Sequence, residues 1–157
     1  MKQLVIHVHG VAAPQGSKQG YARAGRVILV ESSKAVKPWR EAVKYAALDA
    51  LRVGEEDEYG AAERVGFPFG LAPVELLVTF TFPRPRSHYR TGKYAHELRP
   101  GAPAYVAKMP DLDKLIRSTA DALTGVVWRD DAQVARIVTA KVYGQRPGAH
   151  IVIREVA

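Results

Sequence analysis

Two aspartates one residue apart open the stretch Pro110-Asp111-Leu112-Asp113-Lys114-Leu115-Ile116-Arg117, and a second acidic pair follows in Trp128-Arg129-Asp130-Asp131-Ala132-Gln133-Val134. Hard carboxylate oxygens of this kind suit Mg²⁺ or Mn²⁺, and Mg²⁺ in particular takes only a few carboxylates and keeps several waters. Such an ion can activate water and neutralise charge developing at phosphorus. Lys114 and Arg117, one turn apart, could stabilise the same negative charge. Two residues mid-helix and two positions apart point to nearly opposite sides. Asp111 follows Pro110, however, and is well placed as an N-cap, whose backbone is not helical, so its carboxylate can swing toward Asp113. A helix N-terminus also favours negative charge. Plainer roles stay open for each residue. Asp111 could be a cap only, Asp113 a partner of Arg117, Asp130 and Asp131 turn residues, and Asp121 a structural or outer partner of the site.

The elements that must position these groups are read from periodicity. Residues 3–9 alternate as a strand, with Leu4, Ile6 and Val8 on one side and Val5, His7 and His9 on the other. Residues 11–20 read as loop, and 26–30 as a short strand. A helix is expected from about Ser33 to Leu51, with Ser32 or Ser33 as N-cap and Pro38 in the first turn. An acidic, glycine-bearing connection covers 54–72. Val74–Phe82 is the strongest strand, closed by Pro83. The stretch 83–110 is irregular and carries five prolines. A second helix is expected from Asp111 to Leu123, stopped at Gly125. Strands at 134–143 and 150–156 flank the turn 144–148. The expectation is one α+β domain over 1–157, a mixed sheet of roughly five strands with two main helices. The strand beside the second helix is expected to bring its entry point, with Asp131, close to the helix start.

The 157 residues carry a formal charge of +7, which points to a polyanionic partner. The excess is local. Residues 16–40 and 83–110 each hold six basic residues against one acidic, so the rest of the chain is net acidic. Lys18, Arg23, Arg26, Arg84, Arg86, Arg90, Lys93 and Lys108 are the candidate phosphate contacts. Among them, Tyr21, Tyr89 and Tyr94 could stack on bases, whereas Trp39 reads as core. His88 and His96 could touch phosphate, and His7 and His9 share one strand face. There are no cysteines, which excludes disulfides and thiolate metal sites. No run is long enough for a membrane span. A cytoplasmic protein with no membrane association and no small-molecule cofactor is expected.

Pro110-Asp111-Leu112-Asp113, then Asp121-Ala122-Leu123, then Asp130-Asp131-Ala132-Gln133-Val134 together resemble the RusA family of Holliday-junction resolvases, whose pattern is approximately D-L-D-N-L-x-K, D-A-L, D-D-x-Q-V. Gly10–Lys18 looks like the opening of phage-type members. The resemblance implies an α+β homodimer that cuts branched DNA, above all four-way junctions, with Mg²⁺ (Mn²⁺ able to substitute). It implies metal ligation by Asp111, Asp113 and Asp131, with Asp130 and Asp121 as outer or alternative ligands. Two positions depart from the pattern. The family's catalytic lysine falls at Arg117, which cannot exchange a proton near neutral pH, and its asparagine falls at Lys114, which could supply the ammonium instead. The competing classes are a non-catalytic junction- or nucleic-acid-binding module and a carboxylate glycosidase. The positive charge and few aromatics disfavour the glycosidase.

Overall fold

The computed structural model describes residues 2–16, 18–31, 34–53 and 66–156; Ser32, Ser33 and most of the acidic connection lie outside the described residues. The elements run β1 (Gln3–His9), β2 (Lys18–Arg23), β3 (Arg26–Glu31), α1 (Val36–Val53), β4 (Val74–Pro83), α2 (Leu112–Leu123), β5 (Val134–Gly144) and β6 (Gly148–Glu155). The main sheet has the order β1-β6-β4-β5. β6 is antiparallel to both β1 and β4, while β4 and β5 are parallel.

β4 lies inside the sheet because its alternation leaves Val74, Leu76, Val78, Phe80 and Phe82 buried on one face. Ile6 and Val8 of β1 and Ala149, Ile151 and Ile153 of β6 continue that face, and α1 packs against β1 and α2. A parallel neighbour requires a crossover. The chain supplies it with α2, whose buried residues are Leu115, Ser118, Thr119, Ala122 and Leu123.

The two helices are joined through polar groups as well as apolar ones. Trp39 Nε1 donates to Thr119 Oγ1 at 3.1 Å, and Arg40 reaches both Asp121 at 2.6 Å and Gln15 Oε1 at 3.1 Å. Trp39 is therefore core, as its sequence context implies. Trp128 is fully buried below the end of α2, with Nε1 donating to Thr124 Oγ1 at 3.1 Å. Trp128→Ala is expected to cost about 3–5 kcal/mol, as large-to-small core changes of this size do. Urea unfolding would show it as a lower midpoint with an unchanged slope.

The strand count differs from the expected five. The main sheet has four strands, and β2 with β3 forms a separate two-stranded ribbon. Its tip turns through Ala24 (φ 51) and Gly25 (φ 74), the paired positive values of a tight hairpin turn. β2 occupies part of the stretch that reads as loop. Lys18-Gln19-Gly20-Tyr21-Ala22-Arg23 has no apolar alternation, and its strand geometry comes from pairing with β3. α1 starts at Val36, slightly later than the serines predict, with Pro38 inside its first turn.

Candidate active site

Asp111 is the N-cap residue of α2, with extended backbone (φ −66, ψ 134) and no capping hydrogen bond from its side chain. The carboxylate thus does not bond the helix backbone, and it does not turn to Asp113 as the spacing allows. It turns to Lys114, whose Nζ lies 2.7 Å from Asp111 Oδ2. That hydrogen bond, then the charge itself, holds the Asp111 carboxyl below its ordinary value, and Lys141 adds to the effect. Asp111 raises Lys114 in return, through the same hydrogen bond and charge. Both groups are therefore charged throughout the neutral range. Asp113 lies in the first turn and is exposed. Arg117, one turn on, is exposed too, and among the described residues it forms no ion pair with Asp113. The helix start thus presents two carboxylates and two cations to solvent.

Lys141 fixes this helix start to the sheet, a role the sequence does not single out. It sits near the end of β5, and its Nζ donates to the carbonyls of Lys108 and Pro110, both at 2.7 Å. Val106 N donates to Lys141 O at 3.0 Å, and Tyr143 N to Ala104 O at 2.9 Å. The segment 104–110 is thereby bound along the last part of β5. A lysine in a strand, between Ala140 and Val142, carries no sequence signal for this role. Gln15 N donates to Lys114 O at 3.0 Å, so the stretch before the β2–β3 ribbon also lies against the helix start.

The Asp130-Asp131 pair divides its labour. Asp130 accepts from Ala132 N at 2.9 Å and caps a short 3-10 turn, with Gln133 closing the box. The Ala132 N–H is the main reason its carboxyl is held below the ordinary value. Gln133 Nε2 donates to Gly70 O at 3.0 Å and Ala72 O at 3.1 Å, fixing the approach to β4. Asp130 is thus a turn residue, and Asp131 beside it is exposed. Asp121 is taken by Arg40 and acts as a clamp between α1 and α2.

One expectation fails within the single chain. Asp131 does not come to the start of α2. α2 and β5 run in opposite directions, joined by a short turn, so the entry to β5 lies at the far end of the helix. α2 is 12 residues long, about 18 Å, and Lys141, beside Pro110, lies about 23 Å along β5 from Val134. Among the described residues no three acidic, histidine or cysteine side chains are grouped closely enough to hold a metal.

The basic loop is ordered by its own residues. Arg84 donates to Pro103 O at 2.7 Å and lies 5.5 Å over the Tyr143 ring. Arg90 pairs with Glu97 and lies 4.1 Å over Tyr94, with Lys93 Nζ 5.0 Å from the same ring. Arg99 Nε donates to Tyr89 O at 2.8 Å, so the exposed cations of the segment not pinned by a hydrogen bond or ion pair among the described residues are Arg86, Lys93 and Lys108. Tyr89 is half-buried and bridges Leu98, whereas Tyr94 stays 38% exposed beneath its cations. His88 packs edge-on against Tyr143, and His96 faces Glu97. Arg26 is exposed at the ribbon tip; the side chains of Lys18, Tyr21 and Arg23 lie outside the described residues. His7 and His150 face each other across β1 and β6, ring centroids 4.8 Å apart, well away from this site.

The family model described as endodeoxyribonuclease RusA matches residues 12–154. Among curated proteins, the uncharacterized protein YqaN of Bacillus subtilis (strain 168) is 27% identical over 150 residues, 96% of this chain and 94% of that protein.

Proposed function

The chain belongs to the RusA endodeoxyribonuclease family, a family of Holliday-junction-resolving enzymes, and from that premise we propose that it is a Mg²⁺-dependent resolvase acting as a two-fold homodimer. The observation that carries the reading is the start of α2, where an uncapped Asp111 and an exposed Asp113 stand beside Lys114 and Arg117. The donor set fits a small hard cation: carboxylate oxygens facing solvent, with room for water and phosphate oxygens. The ammonium of Lys114 against Asp111 is a resident positive charge of the kind such a site attracts.

Asp111 and Asp113 would hold the ion, with Asp131 of the partner subunit as the third ligand. A divalent ion bound there supplies an acidified water and positive charge beside the phosphate. Lys114, beside Asp111, would meet a phosphate oxygen, and Arg117 could grip one in its planar fork. Arg86, Lys93, Lys108 and Arg26 hold the arms through their backbones.

The free edge of β5 supports the dimer. That strand ends the sheet order, and segment 104–106 covers only its last residues. Among the described residues the rest has no strand partner, with Ile137 49% and Val138 45% exposed, and such edges are rarely left open. Antiparallel pairing about a two-fold centred on Val138 would set the partner's entry to β5 level with Val142, near the segment that leads to Pro110 and Asp111. A two-fold enzyme also matches a two-fold junction. Its substrate places its work in the cytoplasm; among the described residues no helix is long and apolar enough to cross a membrane.

The test is a synthetic four-way junction and a linear duplex of the same sequence, each incubated with the protein with and without Mg²⁺. Paired cuts in opposed strands of the junction, abolished by chelation and absent from the duplex, are expected. Salt-sensitive junction binding with no product in Mg²⁺ or Mn²⁺ would leave a binding module only.

A further inference from the structure

Met109 is 76% exposed and stands two residues before Asp111. Its backbone is held on both sides, because the Lys141 ammonium grips the carbonyls of Lys108 and Pro110 at 2.7 Å each. An apolar side chain in water on a pinned backbone gains nothing from folding. It gains when something apolar arrives. The surroundings say what that can be. Lys108 beside it is exposed, Lys114 and Lys141 lie across the helix start, and the whole basic stretch 83–110 leads up to it. A polyanion with an apolar interior fits this rim, and the face of a DNA base is apolar.

We propose that Met109 is a wedge that enters the stack of bases next to the phosphate held at Asp111 and Asp113, and that through it the enzyme distinguishes branched DNA from linear duplex; this rests on the junction-cutting reading above. Methionine is unbranched and adapts to an irregular gap, and side chains of its kind enter base steps in other DNA-binding proteins. Insertion into an intact duplex must break stacking, which costs free energy at each step. At the crossover of a four-way junction the strands change partners and stacking is already interrupted, so entry there costs less. The same contact therefore adds affinity for a junction and little for a duplex. It neutralises no phosphate, so it leaves the salt dependence of binding unaltered.

The experiment uses the Asp113→Asn protein as parent, so that the junction stays uncut, and compares it with the same protein carrying Met109→Ala or Met109→Leu. Binding to a four-way junction and to a linear duplex is followed by anisotropy over a salt series. A 2-aminopurine placed at the crossover reports unstacking by its fluorescence. Met109→Ala is expected to weaken junction binding about tenfold, to leave duplex affinity and both salt slopes unchanged, and to abolish the fluorescence rise seen with the parent. Met109→Leu keeps both. Equal losses on junction and duplex, a retained fluorescence rise, failure of leucine to rescue, or a shift of Met109→Ala from dimer to monomer in sedimentation would each overturn the wedge. A parent with no preference for the junction removes the junction reading and the wedge with it. A parental preference that survives Met109→Ala removes the wedge alone.

Discussion

Asp113→Asn is expected to leave a folded, junction-binding protein that no longer cuts. Asp113 is exposed in the first turn of α2, and among the described residues no ion pair joins it to Arg117, so the amide can replace the carboxylate without disturbing packing. A small favourable interaction with the helix N-terminus is lost, typically 0.3–1 kcal/mol. Catalysis loses much more. Removing one group of a preorganised charged site commonly costs on the order of 10²–10³-fold in rate, and on the proposed reading the same group is an anionic ligand. Junction affinity without metal should hold or rise slightly, since a negative charge leaves the phosphate path. The control is Asp121→Asn. It breaks the 2.6 Å pair with Arg40, a half-exposed contact worth about 1 kcal/mol or less, and should lower the melting temperature a little while cutting persists. Equal cleavage by the wild type and Asp113→Asn would reject the site. Equal loss in both variants would show that helix placement, not ligation, had been measured.

The parts of this structure that the sequence makes plain are those set by local rules. β4 shows itself through β-branched and aromatic alternation ended by a proline, and α2 through its apolar stripe and an aspartate after Pro110. The N-cap position of Asp111 follows from the same local reasoning, whereas the turn of its side chain to Lys114 does not. β2 is hidden because its strand state belongs to its partner, not to its own residues. The role of Lys141 is hidden for a similar reason: it acts on backbone carbonyls 31 and 33 residues away, and no pattern marks a carbonyl as needing a donor. The position of Asp131 is instructive in the other direction. The short run from Leu123 to Val134 already forces the start of β5 to the far end of α2, so geometry alone separates the carboxylates within one chain. The family motif that groups them in sequence does not say in which subunit each one acts.

That separation leads to a sharp expected result for mixed subunits. Asp113→Asn and Asp131→Asn should each be inactive alone, yet recover cleavage when mixed under conditions that let dimers exchange. If each site takes Asp111 and Asp113 from one subunit and Asp131 from the other, a hybrid dimer concentrates both defects in one site and leaves the second intact. Free exchange makes about half the dimers hybrid, each with one working site, so roughly a quarter of wild-type nicking should return. The product should be singly nicked junction, not resolved duplexes, because the opposed strand meets the dead site. A site complete within one chain gives the contrary result: every subunit carries a defect and no mixture cuts. The free edge supplies a second arm. Placing lysines at both Ile137 and Val138 puts like charges against each other at the two-fold of the paired β5 strands, with position 138 meeting its own copy, and like charges directly opposite destabilise a strand pair. Both positions are about half exposed in the single chain, so the fold should survive while the protein becomes monomeric and loses cleavage. Such a monomer that still cuts would place all the ligands within one chain and end the shared-site reading.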